Sequence, residues 1–258
     1  PRSLLKQNVN LGEFIKCLTN LKFIESGTNN CRLFNIRTMK AFVAGATGET
    51  GRRIVQQLVA RNIPVRALVR NLESARAILP NTVELVEGDV LQPSTLEAAM
   101  GDSTVVLCAT GAKPGFDPTA PYKVDYEGTK NLVDVAKAKG IEHFVLVSSI
   151  GASQFFHPLN LFWLILVWKK QAEEYIQKSG LTYTIVRPGG LKNEDNTDKI
   201  VLYSPDTLSL SGSIPRTKVA EVCVEALFEP AARNKIVEAI AQPEAPEKNL
   251  ADLFAGVA

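Results

Sequence analysis

Lys40-Ala-Phe-Val-Ala-Gly-Ala-Thr-Gly-Glu-Thr-Gly-Arg-Arg-Ile-Val-Gln-Gln-Leu58 is a short apolar run that breaks into three glycines and resumes with amphipathic periodicity. The pattern predicts a strand, a phosphate-holding loop and a helix. Gly45 permits the tight turn out of the strand, Gly48 lets the backbone approach a pyrophosphate, and Gly51 lets the helix lie close on the sheet. The helix N-terminus then offers free amides and a partial positive charge to the phosphates. Thr47, Glu49 and Thr50 complete the loop between the glycines. The spacing is G-x-x-G-x-x-G rather than the commoner G-x-G-x-x-G, so the glycines gain their meaning from the elements that follow.

Those elements alternate strand and helix at the lengths a βαβ crossover requires. Strands are expected at 41–43, 65–69, 83–86, 104–108, 143–148, 183–187 and 235–240. Helices are expected at 52–61, 73–79, 94–100, 122–139, 160–179, 218–228 and 250–257. Thr104-Val-Val-Leu-Cys108 is nearly all apolar, as a parallel strand covered on both faces should be. The reading is an α/β fold, a doubly wound parallel sheet of Rossmann-like type, in a single domain over 39–258 with a small C-terminal substrate lobe. Its ligand crevice lies at the carboxyl ends of the strands.

Composition sets limits around this reading. The 258 residues are 45% hydrophobic and 22% charged, with a net charge of +2, which is ordinary for a globular domain. Residues 1–38 hold six basic side chains against Glu13 and Glu25, so the main body lacks the basic field that nucleic-acid binding needs. The four cysteines are far apart and show neither metal spacing nor a disulfide framework. The longest apolar segment, Leu161–Trp168, is too short to span a bilayer and leaves peripheral contact with a membrane open. Residues 1–38 form an extension of open status, either a targeting or appended segment or an integral element with a short amphipathic helix over 11–24. Met39 stands as a natural start for the domain.

If the glycines hold a pyrophosphate, the end of the second strand should read the adenosine ribose. An acidic residue there would indicate NAD. This chain has Arg70 and Asn71, and a guanidinium beside the ribose suits a 2′-phosphate, so NADP is favoured over NAD. The alternative for Arg70 is a solvated strand-end charge. Arg52 offers a second cation near the phosphates. Asp89 and Val90 end the third strand and would meet the adenine, or simply form a turn. Ala109, Thr110 and Gly111 would lie beneath the riboses, and Pro188 and Gly189 would wall the nicotinamide side.

Taken in order, Ala44–Gly51, Ala67–Asn71, Glu87–Val90, Val147–Ser149 and Tyr183–Gly190 resemble the atypical short-chain dehydrogenase/reductase group, NAD(P)-binding and NmrA-like. Trp168–Tyr175 and Val186–Glu194 are most similar to its cyanobacterial and plastid members, which include the dehydrogenase-like domain of a chloroplast inner-envelope translocon subunit. The resemblance implies NADP(H) binding, oxidoreductase chemistry and a chloroplast stromal, thylakoid-associated or cyanobacterial location. The larger relative's Pro/Ser-rich tail binds ferredoxin-NADP reductase; with no such tail at the end of this sequence, that partner is not implied.

Active members of the wider family use a Tyr-x-x-x-Lys pair, in which tyrosine donates a proton and lysine lowers its pKa and bonds the ribose. Carried over, the resemblance makes Lys169 the lysine, but four residues earlier stands Ile165; taking Lys170 instead gives Leu166. Ser149 maps to the family serine, with Ser153 as a substitute, and Asp125 to a helper asparagine. Tyr122 and Tyr126 are the nearest other phenols. His143 reads as a surface or strand-opening residue rather than a base, and His157 as a loop residue over the nicotinamide end. The apolar passage Phe155–Trp168 is either core helix or the lining of a substrate pocket or docking surface. Two functions follow: an NADPH-dependent reductase of a small apolar carbonyl compound, or a non-catalytic NADP(H) sensor or assembly factor acting on a protein partner.

Overall fold

Ala41–Ala44 (β1) is a run of four buried apolar residues, so it needs cover on both faces and takes the centre of the sheet. The computed structural model describes residues 39–258 except 113–114, 162 and 209–211. The expectations for residues 1–38, including the helix over 11–24, lie outside the described residues. The remaining strands are β2 (Val65–Val69), β3 (Glu84–Glu87), β4 (Val105–Cys108), β5 (His143–Val147), β6 (Tyr183–Pro188), β7 (Gly190–Lys192), β8 (Lys199–Tyr203), β9 (Ser213–Pro215) and β10 (Lys235–Gln242). The α-helices are α1 (Glu49–Ala60), α2 (Leu72–Arg76), α3 (Pro93–Met100), α4 (Gly128–Ala138), α5 (Ile165–Ser179), α6 (Arg216–Glu225) and α7 (Leu250–Ala255).

One ten-stranded sheet runs β3-β2-β1-β4-β5-β6-β10-β9-β7, with β8 also pairing β10. From β3 to β10 all neighbours are parallel. Strand order reverses between β1 and β4, so the crevice expected of such a sheet opens where Gly45 leaves β1 and Ala109 leaves β4. Alternation along the strands supplies two cores. Ala41 and Val43 face one cluster with Ile54, Leu58, Val222 and Phe254, while Phe42 and Ala44 face the other with Leu96, Leu132, Phe144 and Ile176. Each large side chain fully buried this way contributes about 1.5–3 kcal/mol.

The sequence reading differs from the structure in three places. The helix expected over 122–139 opens as a π-helix, Tyr122–Glu127, before α4. The helix expected over 160–179 is broken: a 3-10 turn covers Pro158–Leu161, Trp163 and Leu164 are left-handed at φ 57° and 58°, and α5 begins at Ile165. Three strands, β7 to β9, had not been foreseen. Two of them have only three residues, and they extend the main sheet past β10, β8 and β9 antiparallel to it.

Candidate functional site

The turn after β1 is built by what glycine lacks. Gly45 has φ +78°, and a Cβ there would lie 2.6 Å from the Ala109 carbonyl oxygen. A Cβ on Gly51 would stand 2.0 Å from the Gly45 carbonyl oxygen, so only glycine lets α1 sit on the turn. Gly48 donates its N–H to Gly45 O and accepts from Arg52 N–H. As N-cap of α1 it has no side chain to cap the helix, and the first-turn amides beyond it lack intrahelical acceptors. Thr47 and Glu49 are exposed and Thr50 is buried. Arg52 and Arg53 clasp Glu49 at 2.6 and 2.9 Å, which holds its carboxyl below the usual range, chiefly through the Arg53 hydrogen bond. Arg52 is therefore engaged at Glu49 in this structure, and Glu49 presents no bare anion beside the loop.

At the end of β2, Arg70 is exposed and has no hydrogen bond or ion pair among the described residues. Asn71 caps α2, its Oδ1 accepting from Ser74 N–H at 2.8 Å. Asp89 serves the turn after β3 by accepting from Leu91 N–H through Oδ1. Val90 is buried against Gly128, where a Cβ would come within 2.7 Å of it. Ala109 continues the sheet by donating to Ala44 O, and the Thr110 hydroxyl lies 3.2 Å from Cys108 Sγ.

The loop after β4 joins the glycine turn to the second half of the crevice. A Cβ on Gly111 would stand 3.6 Å from Asp125 Oδ1 and 4.0 Å from Lys169 Nζ. Asp125 comes from the π-helix and Lys169 from α5, and they form an ion pair of 2.8 Å. Asp125 Oδ2 accepts from Ala112 N–H, and Oδ1 faces the Lys169 ammonium. Burial works to lower the Lys169 pKa, but the Asp125 carboxylate outweighs it and the net shift is upward, so Lys169 is a cation. A slit too narrow for a water molecule adjoins the pair, lined by Thr110, Thr129, Ser148 and Ala172.

Ser149 is half-buried and donates to the Ile150 carbonyl at 3.0 Å. Its neighbour Ser148 is buried and donates to Glu173 Oε1 at 2.6 Å. Four residues before Lys169, Ile165 opens α5, and Leu166 is buried. Tyr122 stacks edge-on against Trp168 with centroids 4.9 Å apart, and its hydroxyl is made a weaker acid chiefly by a hydrogen bond to Glu127. His143 does open β5 but is buried, not a surface residue. Its Nε2 lies 2.9 Å from Thr184 Oγ1, and burial pushes its pKa down to about 4. His157 accepts from Leu159 N–H within its own turn. The Pro188 carbonyl accepts from Ile150 N–H, and a Cβ on Gly189 would come within 2.6 Å of the Gly212 carbonyl oxygen. Pro188 and Gly189 thus tie the loops after β5 and β6 together.

The sequence reading passed over a buried cluster. Arg187, fully buried on β6, donates through Nε to Glu173 Oε1 at 2.9 Å and through NH2 to Glu173 Oε2 at 2.7 Å. It also donates to Asp206 at 2.9 Å and Ser153 at 3.1 Å, with Glu238 at 3.8 Å. The signal was an arginine inside the apolar run Ile185-Val-Arg-Pro188, since a fully buried charge needs partners. Among the described residues no group of His, Cys, Asp and Glu could hold a metal ion, and no helix is long and apolar enough to cross a membrane. A hollow of about 530 Å³ lies between Val201, Tyr203 and the 242–246 loop, on a different part of the sheet from the Lys169 pair.

A glycine turn without room for a Cβ, an uncapped helix N-terminus, an exposed Arg70 and a buried lysine–aspartate pair fit a dinucleotide with phosphates at one end and ribose hydroxyls at the other. The fold and the turn define a dinucleotide-binding protein of Rossmann type. Residues 45–230 match the NAD(P)H-binding family, and the chain belongs to it.

Among curated relatives, an uncharacterised chloroplastic protein of Arabidopsis thaliana is 48% identical over 255 residues, 94% of this chain and 89% of its own. The chloroplastic protein TIC 62 of Pisum sativum is 39% identical over 232 residues, 80% of this chain and 43% of its own, so the match spans less than half of that relative. Sanguinarine reductase of Eschscholzia californica is 32% identical over 249 residues, 81% of this chain and 91% of its own. Among solved structures, an NAD-dependent epimerase/dehydratase candidate from Bacillus halodurans superposes with a TM-score of 0.74 at 26% identity, covering 84% of this chain and 99% of that one.

Proposed function

We propose that this chain is an NADPH-dependent reductase of a small, apolar carbonyl compound, working in a plastid. The observation that carries the reading is the Lys169–Asp125 pair, a buried 2.8 Å ion pair at the end of the crevice away from the phosphate turn. Gly45, Thr47, Gly48, Glu49, Thr50 and Gly51 would hold the pyrophosphate, and Arg70 the ribose 2′-phosphate. Asp89 and Val90 would border the adenine. Ala109, Thr110 and Gly111 would underlie the riboses, and Pro188 and Gly189 the nicotinamide. When bound, the reduced dinucleotide supplies a hydride to the carbonyl carbon.

The chain's own task is then the proton. As the carbonyl π pair moves onto oxygen, Lys169 Nζ gives that oxygen one proton and the product is the alcohol. The transfer runs downhill because an alkoxide is more basic than an amine. Lys169 then recovers a proton from solvent along the crevice. Asp125 keeps the lysine charged and aims it, and Ser149 would orient the carbonyl by giving up its local bond to Ile150 O. Sanguinarine reductase, a relative matched over nearly its whole length, supports reductase chemistry, and the chloroplastic relatives support the compartment.

A second reading is favoured by Ile165, which stands where a proton-donating tyrosine would be: a protein that binds NADP(H) without turnover and passes its redox state to a partner. The two readings separate on titration with NADPH and NADH by fluorescence, followed by a scan of carbonyl compounds and quinones for NADPH oxidation. Substrate-dependent oxidation that is lost in Lys169→Met supports the reductase. Tight NADPH binding with no oxidation by any compound refutes it in favour of the sensor.

A further inference from the structure

We propose that the aromatic rim above the Lys169 pair is the binding surface for a flat, polycyclic carbonyl substrate, an inference that rests on the reductase reading. Two loops meet there. Phe116, from the loop after β4, is 102% exposed, and Phe155 and Phe156, from the loop after β5, are 62% and 97% exposed. The Trp163 indole N–H donates to the Gly115 carbonyl, which fastens one loop to the other. Phe155 and Phe156 meet edge to face with centroids 5.4 Å apart, and Phe116 stands next to the Gly115 clasp; large aromatic side chains left in solvent on joined loops mark a binding surface, since a folded chain seldom leaves them uncovered.

The loops of the rim are braced from below, and the Trp168 indole N–H donates to the Trp163 carbonyl, which links them to α5. Asn160, buried under the rim, donates to the Gln154 and Phe155 carbonyls and accepts from Leu166 N–H, so one side chain fixes both the loop and the start of α5. Trp163 and Leu164 are held left-handed in sequence, a conformation that side chains other than glycine avoid. Trp168 adjoins Lys169 in α5, and Tyr122 shares the π-helix with Asp125, so the elements that make the ion pair also make the rim. Phe155 and Phe156 stand at 88° to each other, and Tyr122 and Trp168 at 72°. Such rings offer stacking faces and edges to a flat guest from several directions. A carbonyl on that guest would lie toward Lys169.

Trp163 and Trp168 are the chain's two tryptophans, so intrinsic emission reports directly on the rim. The probe is phenanthrenequinone, compared with diacetyl, which has the same vicinal dicarbonyl and no rings. Hydride plus one proton converts the quinone to its hydroquinone, followed anaerobically as NADPH oxidation. Phenanthrenequinone is expected to quench the emission saturably and diacetyl not to. The exposed-site variant Phe116→Ala/Phe155→Ala should weaken that quenching about tenfold or more and lower the kcat/KM preference for the quinone over diacetyl by a similar factor.

No saturable quenching, or quenching untouched by the double variant, overturns the proposal. A response to anionic phospholipid vesicles with none to the quinone overturns it in favour of a membrane surface. Quenching lost in the variant but without NADPH oxidation by either compound keeps the binding surface and rejects the reductase reading. Oxidation with equal preference for both compounds does the reverse.

Discussion

Replacing Glu173 by Gln removes one charge from the buried cluster while keeping the side chain's shape. Arg187 then loses the partner that binds it through two hydrogen bonds, of 2.9 and 2.7 Å, and an amide N–H₂ must face a guanidinium N–H. Removing one member of a buried pair costs about 3–5 kcal/mol. Arg187 retains Asp206 at 2.9 Å, a half-exposed group, and Glu238 at 3.8 Å, so the low end, about 3 kcal/mol, is expected. Urea unfolding should show the midpoint falling with an unchanged slope. The combined replacement Glu173→Leu/Arg187→Met/Glu238→Gln tests the electrostatic origin, because it leaves neither buried partner of Arg187 charged and should recover most of the loss. A Glu173→Gln variant within about 1 kcal/mol of the parent, or a combined variant as unstable as the sum of its singles, would refute the account. Since Ser148 and Ser153 hang from the same cluster, turnover should fall in Glu173→Gln by more than cofactor binding does.

Arg70→Ala should weaken NADPH binding about 10- to 100-fold while sparing NADH, measured by fluorescence titration; equal losses for both would sink the 2′-phosphate assignment. Gly51→Ala sets a Cβ 2.0 Å from the Gly45 carbonyl oxygen, so α1 must shift. Unfolding should show a cost of about 1–3 kcal/mol, and NADPH affinity retained within about twofold of the parent would contradict the cradle. Asp125→Asn removes the largest influence that opposes burial at Lys169, leaving the weaker ones of Cys108 and Glu173, so its pKa falls and the alkaline limb of the pH–rate profile should move to lower pH. The sign for stability is consistent. With the Lys169 pKa raised above its unfolded value of 10.5, its contribution is complete below that value and is lost as pH climbs through the folded one. An unmoved limb would show that Lys169 is not the proton donor.

How legible the chain was follows from how local each signal is. Three glycines between an apolar run and an amphipathic one specify a turn, and Gly45 and Gly51 proved essential for reasons visible in the sequence pattern itself. The parallel core strands were readable because they are apolar throughout. Less was readable where structure depends on distant partners. Ser213–Pro215 exists as a strand because Ala241 and Gly190 lie beside it. The break before α5 had no glycine or proline at the left-handed positions; those are Trp163 and Leu164, held by Asn160 and by bonds to other loops. Lys199-Ile-Val-Leu-Tyr203 did carry a strand signal and was passed over.

The same contrast explains why a site lacking its tyrosine keeps its lysine. Lys169 and Glu173 stand four residues apart, where side chains on one helix face can meet. Glu173 is nonetheless committed to Arg187 and Ser148 through both carboxylate oxygens, so the lysine takes its counter-ion from the π-helix at Asp125. Lys169 is thus matched to Asp125, while Arg187 is shared among Glu173, Asp206 and the buried Glu238. Removing Lys169 would leave Asp125 as a buried carboxylate without a counter-ion. The lysine is thus retained by electrostatics as well as by chemistry, and its presence alone does not decide between reductase and sensor. Around the pair, Lys169 carries an ionised donor, the Tyr122 hydroxyl bonds Glu127, and Ser149 is turned to a backbone carbonyl. Under the reductase reading, the proton is proposed to come from the lysine.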